Sequence, residues 1–441
     1  MDVDVLIIGG GAAGLMAACG AAGYFGNAGS AQTTVVLEKM PRPARKIMIT
    51  GKGRCNFTNV KSWNEFSPHI RTDRNFLHHA FFNLTPEKMI EFLAEQGVES
   101  VVERGDRAYP ASYKASDIVD ALERAATKAG AKIECGKEVK SIAQEDYTVT
   151  CSDGTTYTAK TIIIATGGLS YPSTGSTGDG YAFAEDLGHS IKTCFPSLTA
   201  LVPEGYKDNH SELGLRLPKG LYNGHIDRSL PLTALGEKLC GCSLKNVGVT
   251  LTNTKDTLRT EFGDLDFTDG GIEGPVGFTL SRDAVKSILH GAHLRLIIDL
   301  KPGIEEARLA AKIQAPTEEG KNNMPGILKK LLPAGIAEAF LATNAKLTKP
   351  APKALAKALK EWTFDICGFV GYERCVVTAG GVDTREVIQK TMQSRISPGL
   401  YLCGEVLDID CDTGGYNLQC AFCTGYLAGQ SAAKSILRKQ S

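Results

Sequence analysis

"VLIIGGGAAGLMAA", residues 5–18, carries the reading of the fold: an apolar run stops at three glycines and resumes as alanine, leucine and methionine. Residues 3–8 have the length and continuous apolarity of a buried strand, and the alanine-rich stretch has the composition of a helix. Gly9, Gly11 and Gly14 fit the G-x-G-x-x-G pattern, with Ala13 inside it. The first glycine permits a tight turn, the second lets backbone approach a pyrophosphate, and the third lets helix and strand touch. The helix start presents unpaired N–H groups and a positive dipole end to phosphates. A glycine turn that holds nothing has the same letters, so the pattern needs context.

The next strand, "TTVVLEKM" (33–40), ends near Glu38, where an acidic residue accepts hydrogen bonds from ribose hydroxyls. A carboxylate there repels a 2′-phosphate, which disfavours NADP at this site. The intervening "YFGNAGSAQ" (24–32) reads as a surface loop. Further on, "KTIIIATGG" (160–168) is a buried strand ending in Ala165, Thr166 and Gly167. Near the C-terminus, "GLYLCGEVLDIDCDTGGYNLQCAFCTGYLAG" (399–429) reads as a strand, Gly404-Glu405, a glycine pair and a helix over 417–430. An NAD dehydrogenase needs no such late element. A two-dinucleotide-binding flavoprotein does: the late acid accepts hydrogen bonds from the ribityl chain. Asn417 and Leu418 then offer backbone N–H groups at a helix start, where the dipole stabilises charge on a reduced flavin, and Gln419 offers its amide.

A polar loop, "TGKGRCNFTN" (50–59), follows the ribose-binding strand. Its glycine–lysine spacing is wrong for a P-loop. It reads instead as backbone and polar side chains laid along a flavin.

Bulk properties fit an enzyme of small molecules. The 441 residues call for two or three domains, and 43% are hydrophobic, as in soluble globular proteins. Lys+Arg and Asp+Glu both number 49, a balance that argues against a nucleic-acid partner. The 13 cysteines, an odd number, read as reduced thiols in a cytoplasmic protein. Cys240, Cys242, Cys420 and Cys423 read as packing rather than metal ligands, and no metal is expected. The N-terminal apolar run has Asp2 and Asp4 where a signal peptide needs positive charge, so neither a signal nor a membrane span is expected.

"KIMITGKGRCNFTN", "ATGGLSYPSTGSTGDGYAFAEDLGH", "PSLTALV", "TAGGVDTREVIQKTMQSR" and "GLYLCGEVLDIDCDTGGYNLQCAF" together resemble the BaiN/YhiN-like family of bacterial FAD-dependent oxidoreductases, which includes bile-acid enone reductases and aminoacetone-oxidase-like proteins. The resemblance spans nearly the whole chain. It implies an α/β, two-dinucleotide-binding (Rossmann-like) flavoprotein domain with inserted β-barrel-like and helical domains. The expected limits are 1–196 and 379–441 for the flavin domain, 197–278 with a return strand 364–378 for the barrel, and 279–363 for the helical insert. Glycine-punctuated apolar runs over about 197–278, as in 242–268, and the Ala/Leu/Lys/Glu-rich stretch 304–360 agree with that layout. The resemblance carries FAD contacts over to Glu38, Lys39, Lys46, Gly51, Asn56, Val139 (adenine), Glu405, Asn417 and Leu418; Thr50 and Arg54, in the polar loop, are further candidates. "FTDGGIEGP" departs from the family's F-T-H-x-G-L-S-G-P, with Asp269 for His and Glu273 for Ser.

Flavin N5 would carry the hydride, leaving the protein to move a proton. Tyr171 and Tyr416 are the candidate donors; a packed ring with a satisfied hydroxyl is the plainer reading of each. Cys55 has no second cysteine at C-x-x-C spacing and reads as packing. No second dinucleotide fingerprint appears, so NAD(P)H would dock only transiently. Three functions remain open: reduction of an activated C=C bond in a steroid-like ketone, oxidation of a small amine or amino ketone by oxygen, and a flavin-holding RNA-associated protein without turnover.

Overall fold

The computed structural model describes residues 1–208, 220–318, 324–345, 347 and 351–440. The chain divides into two units: Met1–Cys194 with Val377–Ser441, and Phe195–Val376.

The first unit is built on a parallel sheet. Strand Asp2–Ile8 lies between Thr34–Glu38 and Thr156–Ile164; Lys132–Cys135 extends one side and Leu400–Leu402 the other. Both faces of such a sheet are covered, so its strands are apolar at every position rather than alternating. Val5–Ile7, Ile162–Ile164 and Leu400–Leu402 are accordingly buried. The register aligns the strand ends: Ile8 pairs with Leu37 and Ile164, and Ile164 pairs with Leu402. The residues that follow, Gly9, Glu38, Ala165 and Cys403, therefore emerge along one edge. In open α/β sheets that carboxyl edge is where ligands bind.

Helix Ala12–Asn27 follows the glycine turn, and helix Tyr416–Gln440 closes the chain. The C-terminal helix starts one residue earlier than its apolar pattern predicts and runs ten residues further. The two helices meet backbone to backbone. A Cβ added at Gly425 would lie 2.1 Å from the Ala13 carbonyl oxygen, and one at Gly429 2.0 Å from that of Ala17. Small residues on both partners are what permit this approach: Ala13, Ala17 and Ala21 of the first helix face Gly425 and Gly429 of the last.

The second unit contains a closed six-stranded barrel. Leu201–Pro203, Gly271–Glu273, Thr257–Thr268, Ser243–Thr252, Leu294–Asp299 and Trp362–Val370 pair in that order, and the last pairs back to the first. Closure removes the sheet edges. Leu294–Asp299 falls within 279–363, the limits expected for the helical insert; its alternating burial, with Leu294, Leu296 and Ile298 inside, makes it a barrel strand. Helices Glu306–Glu318, Met324–Leu331, Ala334–Thr343 and Pro352–Lys360 follow it within those limits. Phe267, Trp362 and Phe364 pack ring against ring within the unit, with centroids 5.0–5.9 Å apart.

Candidate active site

The glycine turn has the sterics its pattern requires. Gly9 adopts φ +100°, and a Cβ on Gly14 would sit 1.8 Å from the Gly9 carbonyl oxygen. A Cβ on Gly11, by contrast, would have no neighbour within 4 Å, so the turn has open space where a ligand backbone or phosphate would approach. No side chain caps the helix that begins after Gly11, which leaves its first-turn N–H groups without a capping acceptor. Ala13 is buried beside Gly404.

Glu38 is buried and held by two backbone donors. Gly10 N donates to its Oε2 and Met40 N to its Oε1, both at 2.8 Å. Burial raises its carboxyl above the ordinary glutamate range, partly offset by those two bonds. Lys137 N donates to the Glu38 carbonyl at 2.9 Å and Gly136 N to that of Met40 at 3.2 Å. These bonds draw in the segment leading to Val139, the first residue of strand Val139–Ile142.

Beyond the strand ends, charged residues pair across the edge. Lys39 Nζ contacts Thr177 Oγ1 and lies 2.6 Å from Asp179 Oδ2. Lys46 Nζ lies 2.6 Å from Glu405 Oε2 and also contacts Ser170 Oγ. Glu405 Oε1 accepts from Ser170 Oγ and from Thr378 N, both at 2.8 Å. Glu405, expected to reach a ribityl chain, is thus already held by three protein donors. Thr378 Oγ1 in turn accepts from Leu169 N and Ser170 N, fixing the turn that follows Ala165, Thr166 and Gly167.

The loop 50–59 is tightly wound. Gly51, Lys52, Gly53 and Cys55 all have positive φ, between 55° and 86°. Two of these are not glycine, and such conformations persist only where surroundings enforce them. Thr50 is tied inward, its Oγ1 donating to Ile47 O at 2.7 Å. Cys55 is fully buried and its thiol is pushed up to about 12 by burial, so it stays protonated and packs. Arg54 stands apart: its guanidinium lies between the rings of Tyr109 and Tyr113, at 4.6 and 4.4 Å, and donates to Glu103 Oε1 at 2.6 Å. Asn56 points toward the C-terminal helix, and its buried Oδ1 has no hydrogen-bond partner among the described residues.

That helix begins at Tyr416 after two positive-φ glycines. A Cβ at Gly415 would meet Thr58 O at 2.4 Å and Asn56 Oδ1 at 2.8 Å, so loop and helix start are in contact. The first intrahelical bond runs from Gln419 N to Gly415 O, which leaves the N–H groups of Tyr416, Asn417 and Leu418 outside the ladder. The side chains here are occupied. Asn417 bonds the backbone of Cys411 and Asp412 through both ends of its amide, at 2.9–3.1 Å. Gln419 accepts from Thr58 Oγ1 and donates to Leu84 O, each at 2.7 Å. Tyr416 is buried with its hydroxyl made a weaker acid by burial and then by nearby Asp412. Tyr171 sits elsewhere, partly exposed with φ +52° before the short turn Pro172–Thr174.

The structure also gathers residues that no motif singles out. Nδ1 of His69 lies 3.0 Å from Asp412 Oδ2, and Arg71 Nε donates to Asp412 Oδ1 at 2.6 Å. His69 and Asp412 stand 343 positions apart, a separation that leaves no periodic signal in the sequence. Ser170 and Thr378, 208 positions apart, leave no such signal either.

The sheet, the glycine turn and the paired strand ends define a class: a Rossmann-type fold carrying an inserted barrel. Within that class the chain belongs to the family described as HI0933-like protein Rossmann domain, whose model matches residues 3–431 and agrees with the BaiN/YhiN-like resemblance of the motifs. The chain is 30% identical over 439 residues to the 3-dehydro-bile acid delta(4,6)-reductase of Clostridium scindens, covering 97% of this chain and 98% of that one. It is 31% identical over 447 residues to the ribosomal RNA dihydrouridine synthase of Haemophilus influenzae, again covering 97% and 98%. The crystal structure of 3-ketosteroid delta1-dehydrogenase from Sterolibacterium denitrificans with 1,4-androstadiene-3,17-dione matches at a TM-score of 0.50 and 12% identity, over 98% of this chain and 100% of that one. That last likeness is one of fold.

Proposed function

We propose that the chain saturates a carbon–carbon double bond conjugated to a carbonyl, in a steroid- or bile-acid-like enone. FAD is the resident cofactor in this reading, and NAD(P)H the transient electron donor. The two curated relatives bear names that share one bond change, loss of a ring C=C next to a carbonyl, although their substrates differ in size. What supports the reading is that the Gly9–Gly14 turn, Glu38 and the start of helix Tyr416–Gln440 belong to one unit, the first helix having no side-chain cap and the last beginning its ladder at Gln419 N.

The residues present fit FAD. First-turn N–H groups after Gly11 would hold the pyrophosphate, with Ala13 and Gly14 in the same turn. Glu38, its two oxygens already oriented by backbone, keeps lone pairs for ribose hydroxyls. Val139 would flank the adenine. Asn56 Oδ1 is a buried acceptor that a donor on the cofactor would satisfy. The N–H groups of Tyr416, Asn417 and Leu418 would face the flavin pyrimidine, with Gly51 and Gly404 giving close backbone approach. Lys46 and Glu405 would brace that surface from behind. FAD, when bound, supplies the hydride-carrying centre. The chain's own share is to exclude water, orient the enone and deliver one proton.

A second reading, a uracil within RNA as the enone, is favoured by the name of the Haemophilus relative. The equal counts of 49 acidic and 49 basic residues favour the small molecule. We place the enzyme in the cytoplasm, consistent with its free cysteines. The test is anaerobic reduction of the purified yellow protein with NADH and NADPH, followed by reoxidation with Δ4-3-oxo steroids, 2-cyclohexenone or a uridine-containing oligonucleotide. Fast reoxidation by the steroid supports the proposal. Reoxidation by oxygen alone, with consumption of aminoacetone, would replace it with an oxidase.

A further inference from the structure

His69 is held from three directions at the first turn of helix Tyr416–Gln440. Its ring stacks on that of Tyr416, with centroids 4.3 Å apart and planes 20° apart, while Phe66 meets Tyr416 edge-on at 4.8 Å. Nδ1 faces Asp412 Oδ2 at 3.0 Å. Backbone bonds join the same two segments: Asp412 N donates to His69 O and Arg71 N to Asp410 O, both at 2.9 Å. Asn417 pins the Asp412 segment to the helix.

The carboxylate decides which imidazole nitrogen works. Asp412 is buried, with Arg71 on one oxygen and Nδ1 of His69 on the other, so the imidazole directs Nδ1–H to this carboxylate. Nε2 is left as the nitrogen that exchanges protons, and no residue bonds it among those described. The His69 side chain is 35% exposed, so Nε2 can be recharged from water. Other charged and titratable groups near this helix start are Asp106, Arg107, Tyr416 and Cys411. Of the two aromatic donors here, the buried Tyr416 hydroxyl is the poorer acid.

We infer that His69, oriented by Asp412, is the proton donor of the C=C reduction, a role that rests on the reaction proposed above. The reductant is reduced flavin. Bound in the site, it would supply the hydride for the far carbon of the double bond. The π pair takes the proton from Nε2–H at the carbon beside the carbonyl. One double bond, one hydride and one proton are consumed; the imidazolium becomes imidazole and is reprotonated by water. Arg71 acts through Asp412 and is a positioning residue.

The test uses holoenzyme of the wild type, His69→Ala, His69→Gln and Asp412→Asn. Flavin reduction by nicotinamide should stay within threefold of wild type in every variant. Reoxidation by 2-cyclohexenone or a Δ4-3-oxo steroid should fall about 10²- to 10³-fold in the His69 variants. Added imidazole should restore His69→Ala at least about tenfold, a rescue that loss of a mere tether would not show. A second readout needs no turnover: carbethoxylation of His69 followed by peptide mass spectrometry across pH, whose midpoint should move in Asp412→Asn. Reoxidation of His69→Ala at the wild-type rate overturns the inference and leaves the reaction standing. Wild-type enzyme inert to every enone overturns the reaction itself. Identical carbethoxylation midpoints in wild type and Asp412→Asn overturn the dyad independently.

Discussion

Lys46 and Glu405, 359 positions apart, form an ion pair at 2.6 Å that ties the segment after the ribose strand to the last strand's end. Their side chains are only 25% and 20% exposed, so the pair lies between a surface bridge and a buried one. Ser170 and Thr378 complete the donor set on Glu405. Removing the cation leaves a carboxylate with neutral donors only.

Lys46→Met and Glu405→Gln should each lower unfolding stability by about 1–3 kcal/mol, between the surface and buried limits. The double variant should cost less than the sum, with a coupling of about 1 kcal/mol or more in urea titrations. Additive effects would mean that the two side chains do not support each other.

Glu38→Gln should weaken FAD retention by roughly 10- to 100-fold, as expected for loss of hydrogen bonds to a charged acceptor. Because burial raises the Glu38 carboxyl, its ionised form is present above that raised value and disappears as pH falls through it. Flavin release, followed by fluorescence, should therefore begin at a higher pH than an exposed glutamate would give, and the variant should lose this acid limb.

Gly425→Ala places a methyl group 2.1 Å from Ala13 O, backbone that cannot yield without moving the helix. It should cost at least about 3 kcal/mol or abolish soluble expression. Gly23→Ala, where a Cβ meets nothing within 4 Å, should instead gain about 0.5–1 kcal/mol. Thermal melts of the two variants moving in the same direction would contradict the close helix contact.

His189 is buried, with Nδ1 3.1 Å from Glu386 Oε2 and Nε2 2.8 Å from Ser394 Oγ. Burial lowers its pKa, and Glu386 only partly opposes this. The unfolded chain therefore takes up this proton first. Stability from His189 is complete above the unfolded value of about 6.5 and is lost as pH falls from there through the lower folded value. The melting temperature should drop on acidification over this window, and His189→Gln should be less stable at pH 7.5 but show a shallower drop.

Much of the first unit was legible because its signals are short-range. The Gly9–Gly14 turn, the unbroken apolar strands and Glu38 at a strand end each depend on a few neighbouring residues. The glycine-punctuated runs read as strands and only the family resemblance implies a barrel, while Leu294–Asp299 hides among helical neighbours; its partners Ser243–Thr252 and Trp362–Val370 lie far away in sequence. Arg54 carries the same lesson. Its loop suggests a ligand, yet Tyr109, Tyr113 and Glu103 surround its guanidinium.

What the sequence determined by itself was the backbone logic of a nucleotide-binding sheet, since periodicity and glycine sterics act within one turn or one strand. Only the tertiary structure decided which charged and titratable side chains meet: Lys46 with Glu405, His69 with Asp412. Those pairings require side chains from distant segments to come within about 3 Å, and packing of the whole sheet and its two glycine-bearing helices sets that distance.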